Sequence, residues 1–93
     1  MTHFEWHLQK AARNLKKHGV SFDEATTVFN DSLARIFDDP DHSITESREL
    51  IIGHSIIGCL LIVSFTEKEK GLIRIISARQ ATRRERVDYE ENS

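Results

Sequence analysis

Five arginines, Arg74, Arg79, Arg83, Arg84 and Arg86, fall within residues 74–86 against Glu85 alone, a local charge of +4. Residues 8–18 carry Lys10, Arg13, Lys16 and Lys17 with no acid, again +4. Such groups suit the holding of phosphate oxygens. A guanidinium fork donates two parallel hydrogen bonds and stays charged at any working pH. Between the basic segments, residues 23–41 hold Asp23, Glu24, Asp31, Asp38, Asp39 and Asp41 against Arg35, a local −5. The total is only −2, so the sum conceals two basic surfaces on which a polyanion can sit. Solvated helix faces are the other reading of the same runs.

If the polyanion is RNA, cutting it without a metal takes three services. A base must accept the 2′-hydroxyl proton, an acid must protonate the leaving 5′-oxygen, and fixed cations must hold the phosphorane charge. Arg79, at the end of a strand, and Arg83, at the start of the last helix, are the leading phosphate clamps. Arg83 also adjoins free helix N–H groups. For proton transfer the candidates are His18, Glu67, His54 and Tyr89. Histidine is the residue type that titrates near neutrality. His18 adjoins Lys17 at a helix end, where it can serve as base or interact with the last carbonyls. Glu67 needs a raised pKa or an arginine beside it. Lys10, Arg13, Lys17, Arg48 and Arg74 are the further RNA-binding candidates, with Trp6 and Tyr89 as stacking surfaces. Each aromatic has a second use, Trp6 packing on the first helix and Tyr89 anchoring the last one.

Alternation along residues 72–78 puts Arg74 with Ile76 and Ala78 on one face, and Ile73, Ser77 and Arg79 on the other. An intact strand therefore cannot aim Arg74 and Arg79 at one phosphate, whereas a bulge near Ala78 would change that. Arg74 then reads as structural, paired with Glu67 or Glu49. Arg48 reaches either the cleft or the acidic loop. The histidines at 3, 7, 18, 42 and 54 lack paired ligand spacing apart from His3 and His7, and the one cysteine, Cys59, sits in an apolar run as a buried thiol. A Cys59–His54 pair is a weaker use of it. No metal and no cofactor is expected, and the absence of a glycine-rich phosphate loop argues against nucleotide hydrolysis.

These residues need a scaffold. Leu8, Ala12 and Leu15 make an apolar stripe of a helix that Gly19 stops, with Lys10, Arg13 and Lys17 on another face. Ser21 and Glu24 read as a capping box opening a second helix, with Phe22, Ala25 and Phe29 inward and an end near Asn30-Asp31. Phe4-Glu5-Trp6 can form an edge strand. Strands are expected at Leu33–Phe37, Glu49–His54, Cys59–Glu67 and Leu72–Ala78. The connections are a proline turn at Asp38–Asp41, a polar loop over 41–47, the turn Ser55–Gly58 and the hairpin Lys68–Gly71. Residues 59–67 are apolar on both alternating sides, as in a covered central strand. Thr82 and Glu85 cap a last helix from Arg83 to about Glu91. The class is α+β: an antiparallel sheet of about four to five strands, two N-terminal helices and one C-terminal helix.

Ninety-three residues make one domain over 1–93, with 39% hydrophobic and 30% charged residues, too apolar for disorder. No apolar run approaches a membrane span and the first residues form no signal peptide, so the expected address is the cytoplasm.

In order, several pieces resemble the BrnT toxin family. They are Phe4-Glu5-Trp6, Asn14-Leu15 with Lys17 to Ala25, Phe37 to Ser43, Ile52-Gly53-His54-Ser55, Phe65-Thr66-Glu67, Ile73 to Arg79, Ala81-Thr82, Glu85 and Tyr89-Glu90. The resemblance spans roughly residues 4–90, and its joint order and spacing make it specific. His7 departs from an Asp or Asn after the tryptophan, and Cys59 from a basic or polar residue. The resemblance implies a RelE-like fold and a bacterial ribonuclease toxin of a type II toxin–antitoxin pair. It also implies a BrnA antitoxin of ribbon-helix-helix type, a two-plus-two assembly that represses its own operon, and inhibited translation and growth. Two other readings use the same surfaces: a non-catalytic nucleic-acid or partner-binding module, and a corepressor within a toxin–antitoxin complex.

Overall fold

The computed structural model describes residues 2–39 and 47–92. In chain order the elements are β1 (His3–Glu5), α1 (Leu8–His18), α2 (Phe22–Thr27) with a 3-10 turn at Val28–Asn30, β2 (Arg35–Asp38), β3 (Glu49–His54), β4 (Leu60–Glu69), β5 (Leu72–Gln80) and α3 (Arg83–Glu91). The expected proline turn at Asp38–Asp41 and the loop over 41–47, His42 included, lie largely outside the described residues.

The strands form one sheet in the order β1-β5-β4-β3-β2. Consecutive strands from β2 to β5 pair antiparallel, while β1 joins β5 in parallel, so the sheet is mixed. The hairpin between β4 and β5 turns on Lys70-Gly71, with Gly71 at φ 83°. It is tighter than the four residues expected, because β4 continues to Glu69.

Strand β4 is covered on both sides. Leu61, Val63 and Phe65 join Val20, Phe22, Ala25, Val28, Ile51, Ile75 and Ala78 in the main core. On the opposite face, Leu60 and Ile62 pack with Ile52 beneath Tyr89 of α3. The first two helices and the last one therefore sit on opposite faces of the sheet. Gly53 on β3 is required by close approach, since a Cβ there would lie 2.8 Å from the Ala34 Cβ and 3.1 Å from the Val28 Cγ1.

The caps follow the sequence in part. Gly19 ends α1 in the left-handed region and donates its N–H to the Leu15 carbonyl. Thr82 and Glu85 form a complete reciprocal capping box. At α2 only half the box forms. Ser21 accepts the Glu24 N–H, but the Glu24 carboxylate turns away to accept the Ser55 hydroxyl at 2.7 Å.

Helix α1 departs most from expectation. Leu8 is 80% and Leu15 52% exposed, with Ala12 exposed between them, and the buried residue is Asn14. The reason is the free edge of β5. Strand β1 pairs only with Leu72–Arg74, leaving the main chain beyond without a strand partner on that side. Asn14 acts as that partner: its amide donates to the Ala78 carbonyl at 2.7 Å and its carbonyl accepts the Ala78 N–H at 3.1 Å. The same amide donates to the Val20 carbonyl. Satisfying a buried sheet edge fixes the rotation of the helix, and the leucines are left outside.

Candidate functional site

The rotation imposed by Asn14 lays the basic face of α1 along β5. Lys10, Arg13, Lys17 and the half-buried His18 line a groove of about 290 Å³ with Asn14, Ile76 and Ser77. No acidic residue lines it, and none of the ion pairs among the described residues engages Lys10, Arg13 or Lys17. A second hollow of about 280 Å³ continues it toward β1, lined by Glu5, Trp6, His7, Lys10, Arg74, Ile75 and Ile76. Lys10 and Ile76 belong to both.

The wall of the groove is a β-bulge. Ser77 pairs with Ser64 and Ile75 with Phe65, so Ile76 has no partner on β4. The extra residue resets the alternation. Ile73 and Ile75 before it and Ala78 after it all reach the main core. Arg74, opposite Thr66, and Arg79, opposite Ile62, therefore share the other face of the sheet. They do not meet on it. Four residues of β4 separate their partners, roughly 13 Å.

Both arginines are engaged. Arg74 reaches Glu5 at 2.6 Å, not the Glu67 or Glu49 expected from the sequence, because the parallel register sets Glu5 directly beside it. Arg79 closes a two-pronged fork on Glu85 at 2.8 and 2.9 Å. Glu85 in turn accepts the Thr82 N–H. The guanidinium beside it holds the Glu85 carboxyl down at about 2, and the same bond raises the Arg79 pKa. Arg79 thus ties the end of β5 to the start of α3. Arg83 and Arg84 stand exposed on the first turn of α3.

Glu67 does not join the histidine. It lies exposed at the β4–β5 hairpin, where its carboxylate accepts the Gly71 N–H at 3.3 Å. Arg48 is half-buried beside β3, and its carbonyl accepts the Asp39 N–H. Trp6 packs edge-on against Phe22 with ring centroids 6.0 Å apart, and its remaining surface lines the second hollow. Tyr89 is buried and anchors α3. Its hydroxyl donates to the Leu33 carbonyl at 3.2 Å, the Arg35 guanidinium lies 5.3 Å from its ring centre, and burial pushes its pKa up. His54 turns away from Cys59, with its ring edge-on to Tyr89 and its backbone N–H donated to the Asp31 carboxylate. That bond, with a second from the Leu33 N–H, holds the Asp31 carboxyl below the usual carboxylate range. Cys59 is half-buried against the main core.

Asn14 is the residue that sequence reasoning passed over. Its signal was a polar side chain flanked by Ala11 and His18 at i, i+3 and i+7, a second stripe competing with the leucines. Among the described residues no three His, Cys, Asp or Glu side chains gather to hold a metal, and no helix is long and apolar enough to cross a membrane.

A family model described as the ribonuclease toxin BrnT of type II toxin–antitoxin systems matches residues 6–85. The fold is similar to that of the Brucella abortus ribonuclease toxin BrnT, solved at 1.1 Å. The TM-score is 0.69 at 21% sequence identity, over 89% of this chain and 100% of that one. No curated protein matches the sequence.

Proposed function

Because the chain belongs to the BrnT family of type II toxin–antitoxin ribonuclease toxins, we propose that it is a metal-independent endoribonuclease whose RNA lies in the α1–β5 groove. The observation that carries this is the set of three cations and a histidine along one groove with no carboxylate among them. Lys10, Arg13 and Lys17 hold successive phosphates, and their number sets the salt dependence of binding. His18 accepts the 2′-hydroxyl proton, and the freed oxygen attacks the adjacent phosphorus. Lys17 and Arg13 hold the charge that builds on the phosphorane oxygens. The 5′-oxygen leaves with a proton drawn from water, and His18 returns the one it took to solvent, giving a 2′,3′-cyclic phosphate and a 5′-hydroxyl end.

Arg74, steadied by Glu5, extends the cationic track through the second hollow, where the exposed part of Trp6 offers a stacking surface. Arg79 holds α3, and with it Arg83, against the sheet rather than gripping phosphate. Glu67 stabilises the hairpin, Arg48 stands apart from the groove, and Tyr89 serves packing. The cellular reading follows the family: cleavage in the cytoplasm inhibits translation and growth, and a BrnA-type antitoxin neutralises the toxin in a two-plus-two complex that binds operator DNA through the antitoxin.

Incubating the purified chain with RNA in EDTA and mapping the ends tests this. Cleavage with cyclic phosphate ends, lost on Lys17→Ala and His18→Ala, is the expected result. RNA left intact would overturn the enzyme reading in favour of a binding module, and cleavage abolished by EDTA would overturn metal independence.

A further inference from the structure

Helix α1 presents a second face that the proposed reaction does not use. Leu8, Ala12 and Leu15 form a continuous stripe at i, i+4 and i+7, and no described residue covers it. One exposed leucine is ordinary, but two on one row of an 11-residue helix make an unpartnered apolar face. On its solvent side the next positions around the helix are Lys16 and Gln9, with Arg13 beyond them, and no acid occurs anywhere in α1. Lys16 is also the α1 cation that lines neither hollow. An apolar stripe with Lys16 and Arg13 on its solvent side and no acid on its own helix complements a protein segment whose apolar residues are flanked by carboxylates.

We propose that the neutralising segment of the antitoxin is such an acidic amphipathic segment, docked on Leu8, Ala12 and Leu15 with its carboxylates on Lys16 and Arg13. The proposal rests on the toxin–antitoxin reading and adds to it the docking surface and the chemistry of the partner. RNA and antitoxin then use opposite flanks of one helix, with Arg13 between them on the solvent side. The antitoxin reaches the groove across Arg13 and cancels its charge, while the leucines serve the antitoxin alone. Neutralisation and cleavage are therefore separable by mutation.

The test pairs the chain with the protein encoded by the adjoining reading frame and compares wild type with Leu8→Ser/Leu15→Ser. The double variant is expected to bind that protein roughly 100-fold more weakly, since burial of two leucines is lost. Growth rescue should fail while RNA cleavage persists at the wild-type rate. Leu8→Met/Leu15→Met should restore binding, and matching thermal melts establish that the serine variant is folded. Wild-type binding and rescue by the serine variant would overturn the proposal, as would a wild-type chain that does not bind the neighbour. Loss of binding to phosphatidylglycerol vesicles alone would assign the stripe to a lipid surface and equally overturn it. A wild-type chain that binds its neighbour but cleaves no RNA would sink the ribonuclease reading, and the serine variant would still decide the docking surface.

Discussion

In α1 the cations Lys10, Arg13 and Lys17 stand along a groove without a carboxylate among them. At the corner between β5 and α3, the guanidinium of Arg79 is closed on Glu85 by two hydrogen bonds. In sequence the two segments have the same net charge. What separates them is register: β5 runs into a helix whose N-cap, Thr82, is followed three residues later by the glutamate of the capping box, and that carboxylate lies within reach of Arg79. Helix α1 has no acid to offer, and the β5 edge beside it presents main chain, which Asn14 satisfies. A count of positive charge measures attraction for RNA only after the charges already engaged within the chain have been set aside.

The sharpest way to break this comparison is kinetic. His18→Ala is expected to slow RNA cleavage by roughly 10²–10⁴-fold, the usual range for a general acid–base group. Arg79→Ala is expected to slow it less than about tenfold, because its guanidinium is engaged by Glu85. Single-turnover cleavage with both variants checks the order, and a larger loss at Arg79 would reverse the roles of the two regions.

Next in size is the residue that sets the groove. Asn14→Ala leaves the Ala78 N–H and C=O and the Val20 C=O without their side-chain partner. Each buried orphan group costs about 1–3 kcal/mol, and partial access of water brings the expected loss to about 3 kcal/mol. Urea denaturation followed by circular dichroism measures it, and an unchanged midpoint would mean that α1 is held by its other contacts.

The smallest effect sharpens the other side of the comparison. The folded-state pKa of Glu85 is depressed to about 2. In the unfolded chain a glutamate titrates near about 4.3. The Arg79–Glu85 contribution is therefore fully present above that unfolded value and is lost as pH falls toward 2. The pair is partly exposed, so solvent screening reduces it to about 1 kcal/mol. Glu85→Gln should lower stability at pH 6 by that amount and converge with wild type near pH 2. A gap that persists in acid would show that the pair acts through packing rather than charge.

Much of this was legible in the residues. Strand β3 and helix α3 begin and end where their patterns say, because Leu50–Gly53 is a short apolar run bounded by the polar Glu49 and His54 and Thr82–Glu85 is a local box. The two-sided burial of β4 was likewise visible, since every residue from Leu60 to Thr66 is buried. Two features escaped, each set by a contact far away in the chain. The rotation of α1 depends on Ala78 and the partner of Arg74 on a strand 69 residues earlier, whereas the bulge that sets the phase of β5, opposite Ser64 and Phe65, was an alternative the residues left open. Hydrophobic periodicity reports what a helix can bury, whereas the unpaired edge of β5 decided what it does bury.

The two hydrogen bonds between Asn14 and Ala78 span 64 positions of chain. At a translation rate of roughly 5–20 residues per second, Ala78 is added some 3–13 s after Asn14. Until then α1 has no edge to dock on, and the groove between them has only one wall. The groove is therefore complete only once most of the chain has been made.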